Sequence, residues 1–351
     1  MRKLTIVVGV LLAVHVALLF VRPSGSAQAA GGGQTVGDRG VNVGIVLDVG
    51  GLGDKSFNDG AYTGAMRAEK ELGAHIRLIE PGEESDRESG LRLLAAEHMN
   101  LVIGVGFIFT DDVTQLAKEY PDVNFAVVDY AIATDKAGNP IPPPPNVAAL
   151  KFKEEEGSFL VGALAALVSQ SKKVGFVGGM DVPLIQKFEA GYKAGVKAVC
   201  ASCSVISQYA GVTPIAFRNP GKGKELALSQ YQQGVDVIYH ASGSTGLGVF
   251  EAARQTGKYA IGVDADQYSE APGRVLTSMV KGIDVAVFDM VKRVRDHNFS
   301  GGIYTYGLAQ NGVSYVYDEH NRALIPDSVR AKLEQIKSDI IAGKIAVPST
   351  R

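Results

Sequence analysis

Acidic residues stand at the ends of several short apolar runs, where they could bind a polar ligand. Asp48, Asp129 and Asp264 each close such a run, and the runs have the length and composition of buried strands. Open parallel sheets bind ligands outside the carboxyl ends of their strands, so these carboxylates are expected to meet there. Their charge and hydrogen-bonding capacity favour a neutral, polyhydroxylated ligand.

The segment 48–60 is rich in glycine and precedes a predicted helix, so phosphate binding has to be considered. A dinucleotide fingerprint requires a third glycine, but Ser56 stands three residues after Gly53. A Walker A loop requires glycine directly before lysine, but Asp54 intervenes and would repel a phosphate group. Both phosphate-binding patterns are therefore disfavoured, and the segment agrees better with a neutral ligand.

The helix after this segment is expected to begin near Ser56 and to end at Gly73. Ser56 and Asp59 have the spacing of a capping box, in which side chains satisfy the free backbone N–H groups of the first turn. Gly73 can adopt the left-handed conformation that terminates helices.

Short apolar runs alternate with amphipathic stretches from Val43 onward, which is the pattern of parallel sheets flanked by helices. The proline-rich segment 135–146 divides two series of similar construction and should be an exposed, stiff connector. Without a leader about 320 residues remain, more than a single core usually holds, so we expect two doubly wound, Rossmann-like lobes. The expected strands are 43–48, 76–79, 101–104, 124–128, 147–152, 174–177, 205–209, 235–240, 260–263, 275–280, 303–306 and 313–317.

The elements after Asp264 could complete both lobes by crossing back and forth between them, although composition alone does not show this. We assign 42–130 with about 266–304 to the N-terminal lobe, and 147–264 with about 307–345 to the C-terminal lobe.

The first 29 residues have the features of a secretory signal peptide. Arg2 and Lys3 precede an uncharged run that ends at Val21, and Ala27-Gln28-Ala29 is a suitable cleavage site. A retained membrane anchor is the alternative, because the run approaches the roughly 20 apolar residues that span a bilayer. No cysteine stands just after the run, so no lipobox is expected. The mature protein should be periplasmic, with membrane contact only through a transporter or an uncleaved leader.

Cysteine usage and charge further restrict the possibilities. Cys200 and Cys203 are the two cysteines, and a small structural disulfide is favoured over free thiols in an oxidising compartment. A redox dithiol normally opens a helix behind a strand, whereas this pair lies between an expected helix and the following strand. The formal net charge of −2, without a basic block, argues against a nucleic-acid partner.

The segment Asp48-x-Gly-Gly-x-x-Asp54-Lys55-Ser56-Phe57-Asn58 resembles the opening signature of the basic membrane protein family, the PnrA-like purine nucleoside receptors. Similar fragments follow in order through most of the chain, including 125–129, 155–162, 243–248, 262–267 and 277–281. The resemblance implies a type I periplasmic binding protein fold with a hinge between two lobes. It also implies the substrate-binding protein of an ABC importer, which delivers a nucleoside, purines in particular, to permease and ATPase subunits.

The resemblance also implies roles for individual residues at the base. Phe57 would stack on one face of the base, and Phe217 is the candidate for the other face. Asp48 and Asn58 would accept and donate hydrogen bonds at its polar edge. A place in the hydrophobic core is the alternative for Phe217, whereas Phe107 and Phe109 are expected to be packing residues.

For the sugar, Asp129 and Asp264 are the expected pair of ribose ligands. Lys281 would donate to a ribose oxygen, and Gly243 and Gly246 would let backbone amides approach the ligand. The alternatives are that the acids only form turns and that Lys281 is a solvated cation.

Two other functions remain open at this point. A nucleoside hydrolase-like enzyme could use two carboxylates, but the chain contains no G-x-S-x-G elbow, no H-E-x-x-H helix and no zinc-type His/Cys spacing. We therefore expect no catalytic residues, no metal and no cofactor. A receptor that delivers another small polar solute to a sensor would share the same fold and site.

Overall fold

The computed structural model describes residues 40–82 and 86–351, and the expected leader, residues 1–29, lies outside the described residues. Within them, twelve strands form two six-stranded sheets. The first sheet has the order β11-β5-β4-β3-β1-β2 and contains β1 (Asn42–Val46), β2 (His75–Ile79), β3 (Leu101–Val105), β4 (Asn124–Val128), β5 (Val147–Phe152) and β11 (Gly302–Tyr306). The second has the order β12-β10-β9-β8-β6-β7 and contains β6 (Lys173–Met180), β7 (Ser204–Gly211), β8 (Val237–Ala241), β9 (Tyr259–Asp264), β10 (Val275–Lys281) and β12 (Val313–Tyr315).

Helices cover both sheets, and each sheet with its helices is called a lobe below. The first lobe carries α1 (Phe57–Leu72), α2 (Asp86–Ala96), α3 (Thr110–Glu119) and α8 (Ile283–Arg295). The second carries α4 (Glu154–Val168), α5 (Pro183–Val199), α6 (Pro220–Gln232), α7 (Gly246–Thr256) and α9 (Asp327–Ile341). Central strands such as β3 and β8 are buried throughout, because helices cover both of their faces. The pairing is parallel except between β10 and β12.

Two strands, β5 and β10, do not belong to the sheets in which they were expected. We expected β5 to begin the second lobe, but it pairs with β4 in the first sheet. We placed β10 in the first lobe, but it pairs with β9 in the second sheet. An apolar run shows that a strand is buried and does not show which strand supplies its hydrogen bonds. The proline-rich segment 135–146 is therefore a crossover within the first sheet, and it does not connect the lobes.

The chain instead passes between the lobes at three other places. It crosses after β5 into α4, after β10 into α8, and after β11 towards β12. These crossings lie beside one edge of each sheet, so the opposite edges of the two lobes are joined by no described segment.

The first turn of α1 is capped by a residue that the sequence did not indicate. Ser56 is the N-cap, but its side chain makes no capping bond, so the predicted capping box is wrong. The carboxylate of Asp54 accepts the N–H groups of Ser56, Asn58 and Asp59 at 2.9, 2.8 and 3.2 Å. Gly73 ends the helix in the left-handed conformation, as predicted. Because Asp54 satisfies these donors, the Ser56 hydroxyl is available for the other lobe.

The two cysteines form the predicted structural disulfide. Cys200 and Cys203 are bonded to each other at the turn between α5 and β7. The disulfide lies at the end of α5, away from the carboxyl ends of the strands of the second sheet.

Candidate ligand-binding site

A cavity lies between the carboxyl ends of the two sheets. Eight of the nine residues predicted from the sequence line it: Asp48, Phe57, Asn58, Asp129, Phe217, Gly243, Asp264 and Lys281. The structure does not bring Gly246 to the cavity, since this glycine begins α7 against the ring of His240.

Asp129 and Asp264 occupy equivalent positions in the two lobes. Asp129 directly follows β4, and Asp264 is the last residue of β9. Their backbones adopt positive φ angles of 64° and 65°, which are uncommon for residues other than glycine. Strained backbone of this kind is concentrated at ligand-binding sites, where the surrounding structure holds it in place. Both carboxylates line the cavity, so each lobe contributes one of them.

Lys281 lies in a buried cluster of charges that joins the lobes. Its Nζ is 2.7 and 2.6 Å from the two carboxylate oxygens of Asp129 and 3.1 Å from Oε1 of Glu154. Glu154 is also paired with Lys187, at 2.5 Å. Burial alone would lower the pKa of Lys281, but the neighbouring carboxylates of Asp129, Glu154 and Asp264 raise it well above its usual value. Lys281 is therefore a charged residue with 3% exposure, and the alternative of a solvated cation is wrong.

Asp48 and Asp264 are carboxylates that titrate near neutral pH. Burial raises the pKa of Asp48 to about 7 and that of Asp264 to about 6. The N–H of Val49 donates to Asp48 Oδ1 at 2.6 Å. The Ser56 hydroxyl donates to Asp264 Oδ2 at 2.5 Å, and this bond crosses between the lobes. The described residues donate one hydrogen bond to Asp48 and one to Asp264. Each carboxylate can therefore accept further hydrogen bonds from a ligand.

Asn58 has less free capacity than expected. Its Oδ1 accepts the backbone N–H of Asp48 at 2.9 Å, and its Nδ2 donates to Asp54 at 3.1 Å. One N–H of the amide remains for a ligand. Asn58 therefore holds the end of the first strand in place and can still donate a single hydrogen bond into the cavity.

Aromatic side chains from both lobes line the same cavity. The Nζ atom of Lys281 lies 5.2 Å from the ring centroid of Phe57, in the first lobe. It lies 5.6 Å from the ring centroid of Phe188, on α5. Phe217 packs on the backbone of Gly179, where an added Cβ would be 2.1 Å from the ring. Phe107 was expected to be a packing residue but lines the cavity.

Sequence reasoning missed Phe188, Glu154 and the pocket-lining Ser242. Phe188 has the spacing of a core position on an amphipathic helix, so no local signal separates it from packing residues. Glu154 belongs to a run of acids in a helical first turn, where the helix dipole alone favours negative charge.

Asp48 should make the stability of the protein depend on pH. Its pKa of about 7 in the folded chain compares with about 4 in an unfolded chain. Between these values the folded state binds a proton that the unfolded state does not, so stability falls as pH rises from 5 to 8. Relative to Asp48→Asn, which cannot ionise, the wild type should lose about 2 kcal/mol of unfolding free energy over this range. Urea unfolding of both proteins at pH 5 and pH 8 measures this effect, and an unchanged difference between them would contradict it.

The two lobes and the cavity at their facing strand ends define the protein class: a two-lobed solute-binding protein of the type I periplasmic binding fold. A solved ABC transporter solute-binding protein from Aeropyrum pernix K1 shares this fold, with a TM-score of 0.80 and 29% identity. The match covers 89% of this chain and 94% of that one. The predicted fold class is confirmed.

The family model described as ABC transporter substrate-binding protein PnrA-like matches residues 41–351, and the chain belongs to this family. The ABC transporter nucleoside-binding protein BmpA of Lactococcus lactis is 33% identical over 327 residues, covering 87% of this chain and 88% of the relative. The resemblance seen in the sequence is thereby confirmed. Because the family consists of substrate-binding proteins and not of enzymes, the hydrolase alternative is discarded.

The family is extracytoplasmic. Among the described residues, no helix is both long and apolar enough to cross a membrane. Nor do those residues contain a group of three or more His, Cys, Asp or Glu side chains arranged to hold a metal ion. A relative from Pyrococcus abyssi, 36% identical over 289 residues that cover 78% of this chain and 69% of the relative, is described as a lipoprotein. In this chain, by contrast, both cysteines lie far from the expected leader and form the disulfide.

Proposed function

We propose that the protein captures nucleosides, with a preference for purines, in the periplasm and delivers them to the permease and ATPase subunits of an ABC importer. One observation carries the proposal: the cavity combines aromatic rings from both lobes with strand-end carboxylates from both lobes. Rings suit the faces of a base, and carboxylates suit the hydroxyl groups of a sugar. The description of the Lactococcus lactis relative as nucleoside-binding supports the same ligand.

In this proposal the base lies near Phe57 and Phe217. Base stacking on an aromatic ring contributes on the order of 1–3 kcal/mol. Asp48 accepts a hydrogen bond from a ring N–H, and the free N–H of Asn58 donates to a ring or carbonyl acceptor. A purine, which carries donors and acceptors on its polar edge, satisfies both residues.

The ribose lies between the strand-end carboxylates of the two lobes. Asp129 and Asp264 each accept from a hydroxyl group. The two hydrogen bonds that Lys281 donates to Asp129 leave one of its N–H groups, and Oε1 of Glu154 lies 3.1 Å from Nζ as an ion-pair partner. Lys281 thus acts mainly by neutralising Asp129 and Glu154, so that these two carboxylates carry no unpaired charge beside the sugar.

Capture takes place by closure of the lobes about the three crossing segments. The contacts that span the lobes include Lys281 to Asp129, Ser56 to Asp264, and Nε2 of Gln267 to the carbonyl oxygen of Lys55 at 2.9 Å. Each involves a residue at or beside the cavity, so closure and ligand contact depend on the same groups. The closed form presents both lobes to the permease in one arrangement, which distinguishes it from the open form.

A thermal-shift screen of the mature protein tests the proposal. The panel contains adenosine, guanosine, inosine, uridine, thymidine, ribose and the free bases, and calorimetry follows any positive result. A ligand at a hundredfold excess over its dissociation constant should raise stability by about 2.7 kcal/mol. We expect purine nucleosides to raise the melting temperature and ribose or free bases to leave it unchanged, because the site contacts both the base and the sugar.

The same screen distinguishes the remaining alternative. If ligand-free protein responds to none of the nucleosides, the nucleoside proposal is wrong, and a receptor for another small polar solute is then the better interpretation. If pyrimidine nucleosides raise the melting temperature as much as purine nucleosides do, the proposed purine preference is wrong and the nucleoside proposal stays.

A further inference from the structure

A chain of buried hydrogen bonds runs from the cavity wall to the opposite lobe. The Ser242 hydroxyl lies 3.3 Å from Nδ1 of His240, and Nε2 of His240 lies 3.1 Å from Oε1 of Gln267. Gln267 continues across the lobes through its Nε2, which donates to the carbonyl oxygen of Lys55. Ser242 lines the cavity, whereas His240 and Gln267 are buried behind it.

The orientation of the Gln267 amide follows from its two backbone partners. Oε1 accepts the N–H of Val263 at 2.8 Å, and a backbone N–H can only donate. At the other end of the amide, the Lys55 carbonyl can only accept. Turning the amide over would place donor against donor and acceptor against acceptor at once. Oε1 therefore faces His240 as an acceptor.

The protonation state of His240 follows from this orientation. Its ring is fully buried and packs edge-on against Phe250, with ring centroids 5.0 Å apart. Burial lowers the pKa of His240 to about 4, so the ring is neutral at physiological pH. Nε2 must carry the single proton in order to donate to Gln267, which leaves Nδ1 as an acceptor. The hydroxyl proton of Ser242 therefore points at Nδ1.

We infer that Ser242 is a specificity residue that offers the ligand only a hydrogen-bond acceptor, and that its partner is a sugar hydroxyl. With its proton committed to His240, the oxygen of Ser242 can present only lone pairs to the cavity. Asp264, on the neighbouring strand β9, is also an acceptor. The part of the wall formed by Ser242 and Asp264 thus favours hydrogen-bond donors of the ligand. This inference rests on the proposed nucleoside function. It adds that the Ser242 oxygen acts towards the ligand as an acceptor and not as a donor.

Gly246 has a role in this arrangement although it does not line the cavity. A Cβ at this position would be 2.0 Å from Cε1 of His240. The glycine therefore leaves room for the ring that sets the direction of the Ser242 hydroxyl.

Ligand analogues test the inference through a pairwise comparison. Calorimetry is run on the wild type and Ser242→Ala with inosine and its 2′-, 3′- and 5′-deoxy analogues. Ser242→Ala should weaken inosine binding about fivefold to tenfold, the usual effect of one lost hydrogen bond. For one of the analogues, the variant and the wild type should bind equally, because the partner hydroxyl is already absent. Ser158→Ala is the matched control, since Ser158 is a buried serine that bonds Tyr239 and does not line the cavity.

If Ser242→Ala leaves inosine binding unchanged, or weakens all three analogues by the same factor as inosine, the role of Ser242 is refuted. Nitrogen-15 NMR of the ligand-free protein provides an independent measurement, with the His240 signals identified by their loss in His240→Asn. A neutral ring protonated on Nε2 is expected, and a proton on Nδ1 would overturn the proposed polarity. If no nucleoside binds at all, the proposed function fails, and the NMR result still decides the direction of the Ser242 hydroxyl.

Discussion

Replacing Lys281 by methionine should lower the free energy of unfolding by about 3–5 kcal/mol, the usual effect of removing one partner from a buried ion pair. Lys281 neutralises Asp129 and shares Glu154 with Lys187. Methionine fills a similar volume but leaves Asp129 without the cation that contacts its carboxylate. Urea unfolding of the ligand-free protein, read as the change in midpoint at constant slope, measures the loss.

Two further variants show whether the loss comes from the charge cluster. Lys292→Met removes an exposed lysine that pairs with Asp296 on the surface of α8, and should change stability by less than about 1 kcal/mol. Adding Asp129→Asn to Lys281→Met removes the unpaired carboxylate, and should recover at least about 1 kcal/mol. Equal effects of Lys281→Met and Lys292→Met, or no recovery in the double variant, would show that the buried cluster is not formed.

Asp264→Asn should weaken nucleoside binding about a hundredfold while leaving the ligand-free fold at least as stable as the wild type. The loss corresponds to about 2.7 kcal/mol, within the range for a hydrogen bond to a charged group. Stability should not fall, because burial raises the pKa of Asp264 to about 6 and its ionised form is therefore unfavourable in the fold at neutral pH. Calorimetry measures the affinity, and urea unfolding at pH 7.5 measures the stability.

Asp266→Asn is the matched control for this change. Asp266 lies two residues further along the same loop, is exposed, and accepts the N–H of Tyr268 through Oδ1. Asparagine can make the same bond, so affinity should change by less than about twofold. Unchanged affinity in Asp264→Asn would show that this carboxylate does not bind the ligand. Equal losses in both variants would show that the effect comes from the general charge of the loop.

Local sequence patterns were sufficient to locate the strands and most of the cavity. Each expected strand has an observed counterpart whose ends differ by three residues or fewer, such as 101–104 against Leu101–Val105. The apolar character of a buried strand and the turn residues that end it are properties of adjacent residues, so they can be read along the chain. The strand-end acids Asp48, Asp129 and Asp264 were found for the same reason. The resemblance to a family supplied Phe57, Phe217 and Lys281, which line the same cavity.

The tertiary structure alone decided which strands share a sheet and which groups the side chains of the site contact. β5 and β10 changed sheets relative to expectation, because hydrogen bonds between strands depend on which segments meet in space. Ser56 was expected to cap its own helix but instead bonds Asp264, 208 residues away in the chain. Gly246 was expected at the ligand but makes room for His240. In each case the partner depends on which segments pack together, which the order of residues along the chain does not show. The residue type defines which hydrogen bonds and packing contacts a side chain can make. Only the packing of the lobes selects the partner with which it makes them.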